Sequence, residues 1–290
     1  MLKKLFFCLG IITTIILSFV IGLNSWYDFY IPILIFVGSY FGYAALYIIF
    51  IGIISLTINT KKEYDKPNRF YKYLTTITME MLINFAHVKL TVKGKDLMPK
   101  NQKYMFVFNH CSNFDPIIQS FVFRKHNLIH ISKPENFKVP IAGPFIKRCG
   151  YLSIDRENDR NSIKTILKAI HLIENQTASI GVSPEGKRNF NGGLLPFRPG
   201  CFKIALKAKC PIVIATMRNT TQIRKNFPFK STPVEMRIVK VLEYEQIKDL
   251  STNEISQIVR KYICDDLEIV EEPLVDMASN SIPNGEEQSA

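Results

Sequence analysis

The sequence predicts an α/β fold, a sheet flanked by helices, set behind an N-terminal helical membrane anchor. Three observations carry this reading. Two long uncharged apolar runs open the chain. From residue 71 onward, short strand-like runs alternate with segments of helical spacing. A polar loop with the makings of chemistry then follows the apolar run 104–108, where α/β proteins usually place their sites.

The anchor comes first. Residues 5–23 and 31–58 are uncharged over 19 and 28 positions. Either run is long enough for a hydrocarbon core of about 30 Å. Lys3 and Lys4 before the first run would also suit a secretory signal. No small-x-small site closes that run, however, and a second apolar run follows at once, so an uncleaved anchor is expected. Lys61, Lys62, Lys66, Arg69 and Lys72 follow the second run, whereas the link 24–30 holds only Asp28. The positive-inside bias then puts both ends in the cytoplasm, with Trp26, Tyr27 and Tyr30 at the outer interface. The predicted localisation is the inner (cytoplasmic) membrane or its equivalent, with the globular domain facing the cytoplasm. Pro32, Gly38, Gly42 and Gly52 leave a re-entrant or interfacial second segment open. The expected division is an anchor over 1–60, a globular domain over 61–271 and a disordered acidic tail over 272–290.

Within the globular domain, helical spacing marks 71–86 and 162–173, and a third helix is read over 201–209. Strands are expected at 88–92, 104–108, 128–132, 178–182, 211–217 and 236–241. Ser251 and Glu254 form the capping-box signature of a last helix.

Charge narrows the class of partner. The net charge is +12, yet residues 265–290 hold eight acidic residues and no Lys or Arg, so the first 264 residues carry +20. Such a surface suits an anionic partner. The aromatic residues form no nucleic-acid motif, so nucleic acid is not expected, and the apolar runs favour anionic membrane lipid. The six cysteines form no Cys-x-x-Cys pair and no zinc spacing with His. They read as free thiols in a reducing compartment. No metal or redox cofactor is implied.

The loop after 104–108 reads Asn109-His110-Cys111-Ser112-Asn113-Phe114-Asp115. Imidazole titrates nearest neutrality, and a carboxylate within reach fixes its tautomer. His110 and Asp115 are therefore a candidate base with its orienting acid. A structural alternative stands beside it. Asp115 as N-cap with Pro116 at the first helical position, or Ser112 and Asp115 as a capping box, would explain the same residues. Cys111 beside His110 is a further candidate nucleophile, although neighbouring side chains on an extended backbone point apart.

The rest of the chain decides between these readings. Asn109-His110-x4-Asp115 is similar to the first motif of the glycerolipid (lysophosphatidate) acyltransferases. Gly150 to Arg156, ending in Ile154-Asp155-Arg156, resembles the second. Ser183-Pro184-Glu185-Gly186-Lys187-Arg188 resembles the third, and Cys210-Pro211-Ile212-Val213-Ile214 the fourth. Ser153 and Ser183 stand where Phe is usual, Lys187 replaces Thr, and Ile214 stands where a second Pro is frequent. The resemblance implies a mixed sheet flanked by helices. It implies His110 and Asp115 as catalytic residues, and a substrate site with Arg156 gripping phosphate beside Glu185, Gly186, Arg188 and Lys133. The acceptor would be a lysophospholipid and the donor acyl-CoA or acyl-carrier protein, giving phosphatidate from 1-acyl-glycerol-3-phosphate. Glycerol-3-phosphate or another lysophospholipid as acceptor, and a non-catalytic lipid-binding protein of the same fold, remain alternatives. The Ser183 segment lacks the closing Gly of a hydrolase elbow, which argues against a serine hydrolase.

Overall fold

A computed structural model describes residues 1–23, 26–64, 67–155, 159–190 and 193–269. The chain opens with α1 (Leu2–Ile21) and α2 (Tyr30–Leu56), both long and apolar enough to cross a membrane. They form a hairpin whose outer faces are apolar and exposed, as at Phe19, Leu34 and Phe41. Gly10 permits the close approach, since the Phe36 ring lies 3.1 Å from where a Cβ would stand. The side chains of Trp26 and Tyr27 lie outside the described set; Tyr30 is exposed.

The hairpin rests on α3 (Arg69–Phe85). Leu2 and Phe6 of α1 pack with Ile77, and Ile51 and Ile58 pack with Leu74. The Met1 ammonium reaches Glu80 at 2.5 Å, and the Tyr47 hydroxyl meets Thr78 Oγ1 at 2.8 Å. Later residues of α2 thus lie beside earlier residues of α3. The hairpin tip points the way α3 runs, past Phe85.

Seven strands follow: β1 (Val88–Lys93), β2 (Met105–Phe108), β3 (Leu128–Ser132), β4 (Leu152–Ser153), β5 (Ser179–Val182), β6 (Ile212–Arg218) and β7 (Thr232–Leu242). They make one mixed sheet in the order β1-β7-β6-β2-β5-β3-β4. Every pairing is parallel except β6 with β7. The carboxyl ends of β2, β3, β4, β5 and β6 therefore share one edge. The single antiparallel pair brings the amino end of β7, and with it that of β1, to the same edge.

The helices cover both faces. The remaining ones are α4 (Phe114–Val122), α5 (Ala142–Arg148), α6 (Asp159–Glu174), α7 (Lys203–Ala208), α8 (Gln222–Asn226), α9 (Tyr244–Ile247) and α10 (Thr252–Leu267). Strand alternation sorts the core in two. Met105 and Val107 point into a cluster shared with α6, α7 and α10, whereas Phe106 and Phe108 point into a cluster with α3 and α4. This is the mixed α/β sheet that the sequence predicts. Ser251 caps α10 in a two-way box with Glu254, as its spacing implied. Helix α5 went unread, because it is too short to show a period.

One close contact tunes the sheet. His130 on β3 pairs with Gly181 on β5, and a Cβ at Gly181 would lie 2.6 Å from His130 Nδ1. Gly181 is the gap that the buried imidazole fills. Gly181→Ala should lower stability by about 1–3 kcal/mol through overpacking. Most of that loss should vanish in a His130→Ala background, measured as coupling in a double-mutant cycle of thermal unfolding.

Candidate active site at the carboxyl edge of the sheet

β2 ends in the motif loop, and three side-chain devices shape it. The first is Asn109, fully buried just past the strand. Its amide donates to Met217 O at 3.1 Å, and its carbonyl accepts from Met217 N at 2.7 Å. The side chain thus continues the β2–β6 ladder by one step and frees the backbone to turn outward.

The second device is Asp115. One oxygen, Oδ2, accepts from His110 Nδ1 at 2.8 Å, Cys111 N at 2.7 Å and Ser112 N at 2.8 Å. Its side chain is 0% exposed, against 21% for His110. The expectation of Asp115 as N-cap needs correcting. Helix α4 begins at Phe114, so Asp115 is its second residue, and the carboxylate folds back over the loop. The Ser112–Asp115 half of a capping box is present in the bond from Ser112 N. Capping and the His110 contact coexist on one atom. With Nδ1 engaged, His110 presents Nε2 as its remaining ring nitrogen.

The third device is Glu185, from the turn after β5. Oε1 accepts from His110 N at 2.8 Å and Oε2 from Leu195 N at 3.0 Å. Burial pushes this carboxyl above its usual range, offset by the two amide bonds and the nearby His110. Both oxygens are engaged by backbone, and the residue is 3% exposed. The structure thus sets Glu185 against the His110 backbone. Gly186 takes φ 76° to close the turn, a conformation that favours glycine. The next residues fold back, with Asn189 N donating to His110 O at 2.8 Å. Arg188 is exposed, its guanidinium 5.5 Å from the Phe190 ring centroid. Lys133 is exposed just past β3 on the same edge. Arg156 lies outside the described residues. The fourth block forms β6 itself, buried core with no chemistry of its own.

Cys111 is buried, and its Sγ accepts from Asn109 Nδ2 at 3.4 Å. Burial, with the charges of Asp115 and Glu185, pushes the thiol up to about 12. A thiolate there is strongly disfavoured at neutral pH. Sequence reasoning missed the roles of Asn109 and Leu195. A lone polar residue directly after an apolar strand was the available signal for the first. For the second there was none, since its backbone amide acts.

Behind the loop lies a buried polar layer. Gln119 is one turn along α4 from Asp115 and fully buried, and neither its amide atoms nor Asp115 Oδ1 has a partner among the described residues. His130, 3% exposed, is held down to about 3 by burial and by the nearby His110.

Against known proteins, an acyltransferase family model matches residues 89–218. The chain carries an acyltransferase domain. Relatives include the 1-acyl-sn-glycerol-3-phosphate acyltransferase alpha of Ovis aries, 26% identical over 215 residues, covering 72% of this chain and 74% of that one. The 1-acyl-sn-glycerol-3-phosphate acyltransferase of Borreliella burgdorferi is 27% identical over 187 residues, covering 64% and 74%. The crystal structure of a 1-acyl-sn-glycerophosphate acyltransferase from Thermotoga maritima shares the fold, with a TM-score of 0.54 and 17% identity, over 93% of this chain and 99% of that one.

The neutral His130 ties the stability of this acyltransferase domain to pH. Its folded value lies below the unfolded value of about 6.5, so the folded state binds fewer protons. That contribution is intact above about pH 6.5 and is lost as pH falls towards 3. Between pH 6 and 4, the wild type should lose up to about 1.4 kcal/mol per unit more than a His130→Leu variant. Denaturant titrations at stepped pH measure this difference, and parallel slopes would contradict it.

Proposed function

We propose that this acyltransferase moves a fatty acyl group from a thioester, acyl-CoA or acyl-carrier protein, to the sn-2 hydroxyl of 1-acyl-glycerol-3-phosphate, forming phosphatidate. The observation that carries the reading is the 2.8 Å bond from His110 Nδ1 to a buried Asp115, on a ring that is still partly exposed. That arrangement suits a general base acting through Nε2. The names of the relatives support the choice of acceptor.

The chemistry follows from the thioester, which is already activated and lacks only a nucleophile. The acceptor hydroxyl oxygen attacks the carbonyl carbon as Nε2 removes its proton. Asp115 keeps Nδ1–H in place and stabilises the imidazolium. The tetrahedral intermediate collapses, the C–S bond breaks, and the imidazolium returns the proton to the leaving sulfur. The raised Cys111 thiol argues against an acyl-enzyme, so direct transfer between two bound substrates is favoured. Arg156, Arg188 and Lys133 are the cations assigned to the phosphate, and Gly186 shapes the turn beside it. Glu185 acts as a positioning residue that holds the His110 backbone.

In the domain plan proposed here, 1–60 anchors the acyltransferase domain over 61–271, and both hairpin ends lie on the cytoplasmic side. The packing of both ends on α3 supports this. Beyond Phe6 and before Tyr47, the free parts of α1 and α2 are roughly 22 and 25 Å long at 1.5 Å per residue. They reach deep into a bilayer from one side.

The deciding assay follows thiol release from acyl-CoA. Release should depend on added lysophosphatidate; release without it, or none at all, would defeat the assignment. His110→Ala should lower turnover by roughly 10² or more. Asp115→Asn should also impair it, whereas Cys111→Ala stays active. Arg156→Ala should cost about 1.5–3 kcal/mol, or roughly tenfold to a hundredfold in the specificity constant for lysophosphatidate. It should change that for an uncharged monoacylglycerol far less, in steady-state kinetics with each substrate varied in turn.

A further inference from the structure

Away from the site residues, the catalytic edge of the sheet carries a second apolar feature. The segment between α8 and β7 holds Phe227 and Phe229, which are 39% and 93% exposed. Phe85, at the end of α3, is 61% exposed and meets Phe227 with ring centroids 5.2 Å apart. Phe85 and Phe227 thus form an exposed aromatic pair, with the Phe229 ring fully in solvent two residues on, and exposed apolar surface of this kind marks an interaction site. The flanking residues are Arg224, Lys225 and Lys230, all exposed, and residues 221–232 contain no acid.

Position and charge identify what covers this knuckle. It sits where β1 and β7 begin, because Thr232 N donates to His87 O. That is the edge from which His110 projects. It is also continuous with the anchor, since Phe85 follows Glu80, the partner of the Met1 ammonium, by less than two turns of α3. The apolar hairpin leaves α3 in the same direction. Exposed aromatic rings with lysine and arginine close by in the same segment are the composition that settles at a bilayer interface. The cations add attraction to anionic headgroups.

We infer that Phe85, Phe227 and Phe229, with Arg224, Lys225 and Lys230, form a second membrane contact that docks on an anionic bilayer surface. One hairpin leaves the domain free to tilt about its base. A second contact on the same edge removes that freedom and turns the His110 edge towards the bilayer. The inference rests on the membrane reading of the hairpin but on no particular substrate.

The test uses the full chain in proteoliposomes of phosphatidylcholine and phosphatidylglycerol. Trp26 is the single native tryptophan, so Phe229→Trp in a Trp26→Phe background gives one reporter at the knuckle. Its emission should shift to the blue, be quenched by lipids brominated near the headgroup end of their chains, and resist aqueous iodide. Replacing Lys225 and Lys230 by Gln should weaken bromine quenching in mixed vesicles, by about fivefold in partitioning per lysine, and leave it unchanged in pure phosphatidylcholine. Iodide quenching as complete as for a soluble peptide, with no bromine effect, would overturn the knuckle while the native Trp26 still reports an embedded hairpin. Loss of bromine quenching at Trp26 as well would overturn the membrane reading, and the knuckle with it.

Discussion

A single oxygen organises the loop that follows β2. Asp115 Oδ2 gathers the His110 ring and two consecutive backbone amides. A buried carboxylate without partners would be costly. Here that cost is offset by three donors, and the donors are in turn fixed by it. The orientation of His110 and the entry into α4 are therefore one event. An altered carboxylate would disturb the ring and the helix start together.

Long-range bonds complete what the local loop cannot. Glu185 joins His110 N to Leu195 N across residues far apart in the chain. Asn109 joins the loop to β6 through Met217. Parallel pairing makes these bonds possible, because it delivers the ends of β2, β5 and β6 to one edge. Lys133 is exposed directly past β3 on that edge, and Arg188 is exposed in the segment that follows β5.

The one antiparallel pair has a separate consequence. It turns β7 round, so that the α8–β7 segment and the end of α3 arrive on the edge that carries His110. The hairpin leaves α3 on that side too. The apolar hairpin, the exposed Phe85–Phe227 pair and the partly exposed His110 thus share one end of the molecule.

The sequence by itself determined the elements with long, clean periods. The apolar runs became α1 and α2, strands such as 128–132 appeared at their expected bounds, and Ser251 and Glu254 cap α10. Proximity of His110 and Asp115 was legible as well, because five residues of loop can close locally. Tertiary structure alone decided the rest. Glu185 sat in a recognisable turn, but only the fold revealed that backbone amides engage both its oxygens. Gly181 is informative only through His130 on a neighbouring strand. Phe85 and Phe227 are distant in sequence and adjacent in space. Periodicity records which face of an element is buried; it carries no information about which distant element that face will meet, since strand order and direction are set by packing over the whole chain.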